Sequence, residues 1–226
     1  GITGLTTAYL LKSLGIRTVV IDANRIAQGV SGHTTAKISS QHSLKYEKMV
    51  STVGEEKALQ YASANQAAID LIEKIIDDNN IDCDFKKVPA YVFTNDESYI
   101  KKLEDETKSA EKLGLPAEYT DSLELPFEVK GAMKFSNQAQ FHPRKYLLAL
   151  ASAIEGEDCR IFEQTRIVDI QGNSPYEVVT DSGIKIRAGS VVQATRYPFY
   201  DKPGLYFTRL YPERAYLLGM HIIGSI

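Results

Sequence analysis

The sequence is poor in the features that mark several large classes of protein. Only two cysteines occur in 226 residues, Cys83 and Cys159, with no CxxC pair. That excludes a disulfide scaffold or a cysteine-rich zinc site, and a reducing cytoplasm is the expected compartment. No apolar run approaches the ~20 residues of a membrane-spanning helix. No basic stretch followed by an apolar one reads as a secretory leader. Positive charge is not in excess either: 26 Lys plus Arg against 29 Asp plus Glu leave a net charge of -3. Nucleic-acid binding by phosphate neutralisation is thereby excluded. A core is affordable, with 43% hydrophobic and 24% charged residues, and the length suits one large domain or two modest ones.

The order of elements predicts a mixed α/β protein with interleaved domains. Residues 6–13 have helical apolar spacing and stop at Gly15, and residues 17–21 (RTVVI) form a short β-branched strand. A loop rich in Gly, Ser and Thr follows over 23–43. Residues 55–80 carry the longest amphipathic helical stripe, 88–94 a strand with Pro89 at an edge, 98–113 a charged helix, and 130–135 a strand. Pro143 opens a helix to about residue 154. The period then falls to two, predicting strands at 160–162, 166–170, 176–180, 184–187 and 190–194, and a strand-like stretch after Pro198.

Three constellations carry chemistry. Gly1-Ile2-Thr3-Gly4 leads straight into a helix, and Gly1 and Gly4 have the spacing of the second and third glycines of G-x-G-x-x-G. The second glycine of that motif lets backbone approach a pyrophosphate, and the third lets helix pack on strand. Asp22 ends the RTVVI strand 21 positions after Gly1, where an acid accepts hydrogen bonds from a dinucleotide ribose. Together they predict a dinucleotide fold without separating FAD from NAD. The small, hydroxylated segment Gly29-Val30-Ser31-Gly32-His33-Thr34-Thr35-Ala36-Lys37 follows at once, suited to crowding an extended ligand with amides and hydroxyls.

These segments resemble the D-amino-acid oxidase-like superfamily of FAD-dependent oxidoreductases, the glycine oxidase and sarcosine oxidase relatives. The likeness runs in order through nearly the whole chain. GITGLTTAYLL resembles the end of the phosphate-binding turn, and VVIDANRIAQGVSGHTTAK the second strand with its ribose acid and flavin loop. NQAQFHPRKYLLAL resembles the helix that returns the chain to the FAD domain, TRIVDI the strand whose backbone near Ile167 contacts adenine, and SVVQAT the "VV-x-A-t-G" strand. Arg196 stands where most of that superfamily has glycine. SGHTTAKISSQH and the stretch from Ala194 to Phe207 resemble a bacterial subgroup whose FAD module precedes a C-terminal Rieske [2Fe-2S] domain; this chain has no Rieske ligand set.

The resemblance implies a Rossmann-like FAD-binding domain over 1–44 and 143–198, and a substrate domain with an antiparallel sheet and helices over 45–142 and 199–226. It implies non-covalent FAD. Gly1, Ile2, Thr3 and Gly4 would face the pyrophosphate at a helix N-terminus, and Asp22 and Ala23 the ribose. Arg25 would cover adenine or reach phosphate. Ser31, Gly32, Thr34, Thr35 and Lys37 would lie by the isoalloxazine, where the Lys37 cation would stabilise a reduced, anionic ring. Ala194 and Thr195 would border the cofactor. The implied substrate is a small amine or amino-acid-like molecule, and Tyr197, Tyr206, Arg209, Tyr211 and Arg214 lie toward its grip. No catalytic residue and no electron acceptor is implied.

Two alternatives stay open from the sequence. An NAD(P)-dependent dehydrogenase would show a second βαβαβ half after residue 45. A non-catalytic remnant is the other: the chain opens at Gly1 inside a glycine motif and closes in an apolar run, which predicts a slice of a longer flavoprotein.

Overall fold

The structure is a computed structural model that describes residues 1–123, 127–201, 204–213, 216, 218, 221 and 223. It is mixed α/β, and its contacts divide it into two units. Unit 1 is Gly1–Thr34 with Pro143–Ile226, and unit 2 is Thr35–His142.

Unit 1 begins with helix α1 (Ile2–Ser13), which buries Leu5 and Ala8. Gly15, at φ +71°, ends it: Gly15 N donates to Lys12 O and Ile16 N to Leu11 O. The left-handed turn satisfies the last carbonyls, the role predicted for this glycine. Strand β1 (Thr18–Ile21) pairs in parallel with β6 (Cys159–Phe162), Thr18 opposite Cys159. Helix α5 (Pro143–Ile154) buries Tyr146, Leu147, Leu150 and Ile154 and packs on α1. Lys12 Nζ joins the two helices by donating to Ala153 O at 2.9 Å. An antiparallel three-stranded sheet follows, β7 (Ile167–Gln171), β8 (Tyr176–Thr180) and β9 (Lys185–Ala188), in that order.

Unit 2 is built around β5 (Gly131–Gln140), which extends five residues beyond the predicted end. The long edge strand β3 (Lys86–Thr94) pairs antiparallel along it, with a register shift between Val88 and Ala90. Pro89 falls in that shift, as expected of a residue with no N–H to give a ladder. β2 (Lys37–Ile38) and β4 (Ala117–Thr120) pair with opposite ends of β5. Helices α2 (Tyr46–Val53), α3 (Glu55–Asp78) and α4 (Ile100–Lys112) complete the unit. Tyr46, Ala58, Ala62, Leu103, Ala110, Met133 and Phe135 form one core.

A buried carboxylate organises the start of α2. Glu106, on α4, accepts from Lys45 N and Tyr46 N at 2.7 Å and from Glu47 N at 2.9 Å. No side chain of the helix's own N-cap does this, so an acid 60 residues away supplies the cap. Tyr46 OH donates to Ser40 O, and burial pushes its phenol well above the usual value.

Several predicted elements differ. Residues 190–194 are not a strand, because among the described residues they find no ladder partner. The stretch after Pro198 is irregular apart from a short 3-10 turn at Tyr206–Arg209. The loop expected over 23–43 contains β2, and its pairing with β5 puts residues 35–44 in unit 2 rather than with 1–34. The described residues after 198 group with unit 1, not with unit 2.

Candidate cofactor site

In unit 1 the first turn of α1 meets the loop that follows β1. Gly1 caps α1 without a side-chain hydrogen bond, so the amides of the first turn are left to a ligand or water. A Cβ added at Gly1 would stand 2.9 Å from Ser31 Oγ, which places that hydroxyl over the start of the helix. A Cβ at Gly4 would stand 3.4 Å from the Ala194 Cβ, so the 190–194 segment lies against the same turn. Gly32 is the tightest position, since a Cβ there would lie 2.0 Å from Ala27 O.

Asp22 is held by its backbone. Asp22 N donates to Phe162 O at 2.9 Å, and Thr165 N donates to Asp22 O at 3.0 Å. Its Oδ1 accepts from Asn24 N at 2.9 Å, which leaves Oδ2 to meet a ligand hydroxyl. Ile26 N donates to Glu163 Oε1 at 2.7 Å and Gln164 N to Asn24 O at 3.0 Å, so the turn after β1 is tied to the end of β6. Ala23 and Arg25 are exposed on that turn. The loop then makes a 3-10 turn at Val30–Gly32, with Gly32 N donating to Gly29 O at 2.9 Å and His33 Nδ1 3.0 Å from the same oxygen.

Gly1, Ile2, Thr3, Gly4, Ser31 and Gly32 thus form one cluster with Ala194, and Asp22 stands at the end of the neighbouring strand. Thr195 is exposed beside it, with Oγ1 donating to Tyr197 O at 2.8 Å. Arg196 has φ +64°, so the position that is glycine in the resembling family keeps a left-handed backbone here with an arginine on it. Ile167 lies apart in the β7–β9 sheet, half-buried and opposite Thr180. Thr34 closes unit 1, and Thr35 and Lys37 belong to unit 2. Tyr197, Tyr206, Arg209 and Tyr211 are exposed, and Arg214 lies outside the described residues.

This donor set fits an adenine dinucleotide: uncapped amides at a helix start for a pyrophosphate, glycines where backbone must come close, and a carboxylate oxygen for ribose hydroxyls. Among the described residues no group of three or more His, Cys, Asp or Glu could hold a metal ion. No described helix is long and apolar enough to cross a membrane.

A pocket that the sequence does not reveal lies in unit 2, with Thr35 and Lys37 in its lining. Gln41, Tyr91, Gln138 and Gln140 line it too, with Val88, Pro89, Ala90 and Ala139, and its volume is about 220 Å³. The glutamines form no motif, and only the pairing of β2 and β3 with β5 brings them together.

Comparison with known proteins gives the class. The family described as "FAD dependent oxidoreductase" (DAO) matches residues 1–220, and the chain belongs to that family. Among individual relatives, it is 40% identical over 220 residues to the "Putative Rieske 2Fe-2S iron-sulfur protein YhfW" of Bacillus subtilis (strain 168), covering 97% of this chain and 43% of that protein. It is 27% identical to the gamma-glutamylputrescine oxidoreductase of Escherichia coli (strain K12), covering 89% of this chain and 48% of that one. The chain therefore spans about half the length of the curated relatives it matches. Glycine oxidase from Geobacillus kaustophilus shares the fold at TM-score 0.68 and 21% identity, over 86% of this chain and 52% of that one. L-proline dehydrogenase from P. horikoshii does so at TM-score 0.69 and 19% identity, over 86% and 50%.

Proposed function

We propose that the protein is a FAD-dependent oxidoreductase that oxidises a small amine or amino-acid-like substrate. The single observation that carries this is the meeting of Ser31 with Gly1 at the uncapped start of α1, on the loop that Asp22 opens with one carboxylate oxygen left for a ligand. Bound there, FAD would supply the two-electron acceptor for a hydride-transfer oxidation of the substrate carbon that bears nitrogen.

The chain's own residues bind and orient. Amides of Ile2, Thr3 and Gly4 and the Ser31 hydroxyl hold the pyrophosphate non-covalently, with Gly1 and Gly32 allowing the close approach. Asp22 accepts from the ribose, with Ala23 and Arg25 beside it, and the backbone at Ile167 meets adenine. Ala194 and Thr195 border the cofactor. Thr34, Thr35 and Lys37 lie by the isoalloxazine, where the Lys37 charge favours the reduced ring. Residues 1–34 with 143–198 serve as the FAD domain and the antiparallel unit as the substrate domain. The name of the Bacillus subtilis relative supports a Rieske [2Fe-2S] domain elsewhere in the whole protein.

An NAD(P)-dependent reading gains no support, because unit 2 is helical and antiparallel where a second βαβαβ half was required. The test uses the full-length protein. Purified wild type is expected to be yellow and to release about one FAD per chain on acid treatment, and Gly32→Ala to hold less than about a tenth of that, because its Cβ would displace the loop backbone. A colourless wild type overturns the proposal.

A further inference from the structure

A larger cavity in unit 2, of about 560 Å³, lies where β3 ends and the chain turns into α4. That volume falls within the ~300–1,000 Å³ of small-molecule sites. Leu44, Val92 and Leu103 give it apolar walls, and Leu103 is 2% exposed. Thr94, Asp96 and Tyr99 bring a hydroxyl, a carboxylate and an aromatic ring, and no basic side chain is in the lining. None of these residues belongs to the proposed cofactor site, so FAD binding leaves the cavity unexplained.

One tight turn holds the carboxylate and the ring together. Asp96 N donates to Thr94 Oγ1 at 3.0 Å, Ser98 N donates to Asp96 Oδ1 at 2.9 Å, and Tyr99 N donates to Asp96 O at 3.0 Å. The hydrogen bonds from Ser98, and then the charges of Lys130 and Lys102, hold the Asp96 carboxyl below its usual range, so it is ionised at neutral pH. Two neighbouring lysines are engaged by other acids, Lys130 by Glu97 and Lys101 by Asp105, both at 2.6 Å. Asp96 enters none of the ion pairs among the described residues. Lys102 shows what the ring attracts: its Nζ stands 4.3 Å from the Tyr99 centroid, an ammonium on an aromatic face. Lys102 is exposed and enters none of those ion pairs either, so a cation that meets both the ring and the carboxylate can displace it. A lone carboxylate among apolar walls offers too few oxygens for Ca²⁺ or Mg²⁺, and it suits a cation that carries its own apolar surface.

We propose that this cavity binds a small organic ammonium ion, with the Asp96 carboxylate as its counter-charge, the Tyr99 ring as its cation–π partner and Leu44, Val92 and Leu103 against its alkyl groups. The exposed Lys102 ammonium competes with the ligand for the ring. The site goes beyond the flavoenzyme reading above and does not rest on it.

Calorimetric titration of the full-length protein with tetramethylammonium and tert-butanol tests this. The two are close in size and shape and differ in charge, and neither can be oxidised to an imine, so turnover does not mask binding. Tetramethylammonium is expected to bind about tenfold tighter than tert-butanol. Asp96→Asn keeps an oxygen that accepts from Ser98 N and removes the charge, so the turn survives while tetramethylammonium is expected to weaken about fivefold. Tyr99→Leu is expected to weaken it about threefold and leave tert-butanol unchanged. Lys102→Met removes the competing ammonium and is expected to tighten it about threefold. Equal affinities for the two ligands, undiminished tetramethylammonium binding by Asp96→Asn, or weaker binding by Lys102→Met overturn the proposal. Flavin plays no part in the readout: a colourless protein that prefers tetramethylammonium keeps this site and loses the flavoenzyme reading, and a yellow protein without the preference does the reverse.

Discussion

In unit 2 the buried side chains of three helices and a four-stranded sheet close on one another, with Tyr46, Leu103, Met133 and Phe135 at the centre. In unit 1 burial is gathered mainly on α1 and α5, while the parallel pair β1–β6 leaves Val19 47% and Phe162 46% exposed. Two strands alone make a marginal sheet. The difference separates two jobs. Unit 2 owes its stability to its own core, whereas unit 1 is the part whose stability a dinucleotide bound at the proposed site would raise most, by mass action.

The sharpest way to break this contrast is to make the same truncation in both units. Phe135→Ala is expected to cost about 4 kcal/mol, since it empties the middle of a closed core. Phe162→Ala is expected to cost less than about 1 kcal/mol, because half of its ring already faces solvent. Urea denaturation measures both, and equal costs would remove the distinction.

The two thiols offer a gentler probe, because each unit buries one of them, Cys83 in unit 2 and Cys159 in unit 1. Burial raises the Cys159 thiol above its usual range, so alkylation waits for local opening. FAD at 100 times its Kd is expected to slow labelling of Cys159 about a hundredfold and to leave Cys83 unchanged. Equal slowing of both would show that the units open together.

The smallest expected effect is at Arg196. Glycine there removes the cost of a left-handed backbone on a residue with a Cβ, so Arg196→Gly is expected to stabilise unit 1 by about 1 kcal/mol, read as a rise in Tm.

Much of this was legible in the sequence because it is local. The stop at Gly15, the start at Pro143, the long stripe of α3 and the β8 hairpin each follow from a few neighbouring residues. The candidate phosphate turn and Asp22 could be picked out of the sequence because both are defined by spacing along one helix and strand. What was missed depends on partners far along the chain. β2 is two residues long, one of them lysine, and is a strand only because Gln140 and Ala139 pair with it. Helix α2 starts on a carboxylate supplied by Glu106. The SVVQAT stretch has every local mark of a strand, and local marks do not supply a ladder.

The pairing of Lys37 with Gln140 also bears on how such a protein could arise and be taken apart. The chain leaves unit 1 after Thr34 and returns at Pro143, and these two crossings are bracketed by register partners, with Phe141 N donating to Ala36 O between them. A module whose two ends are adjacent strands can be lifted out or inserted without stretching its host, which is the geometry that tolerates domain insertion and circular permutation. Residues 35–142 therefore have the form of a cassette, closed by the same strand pair that carries Lys37.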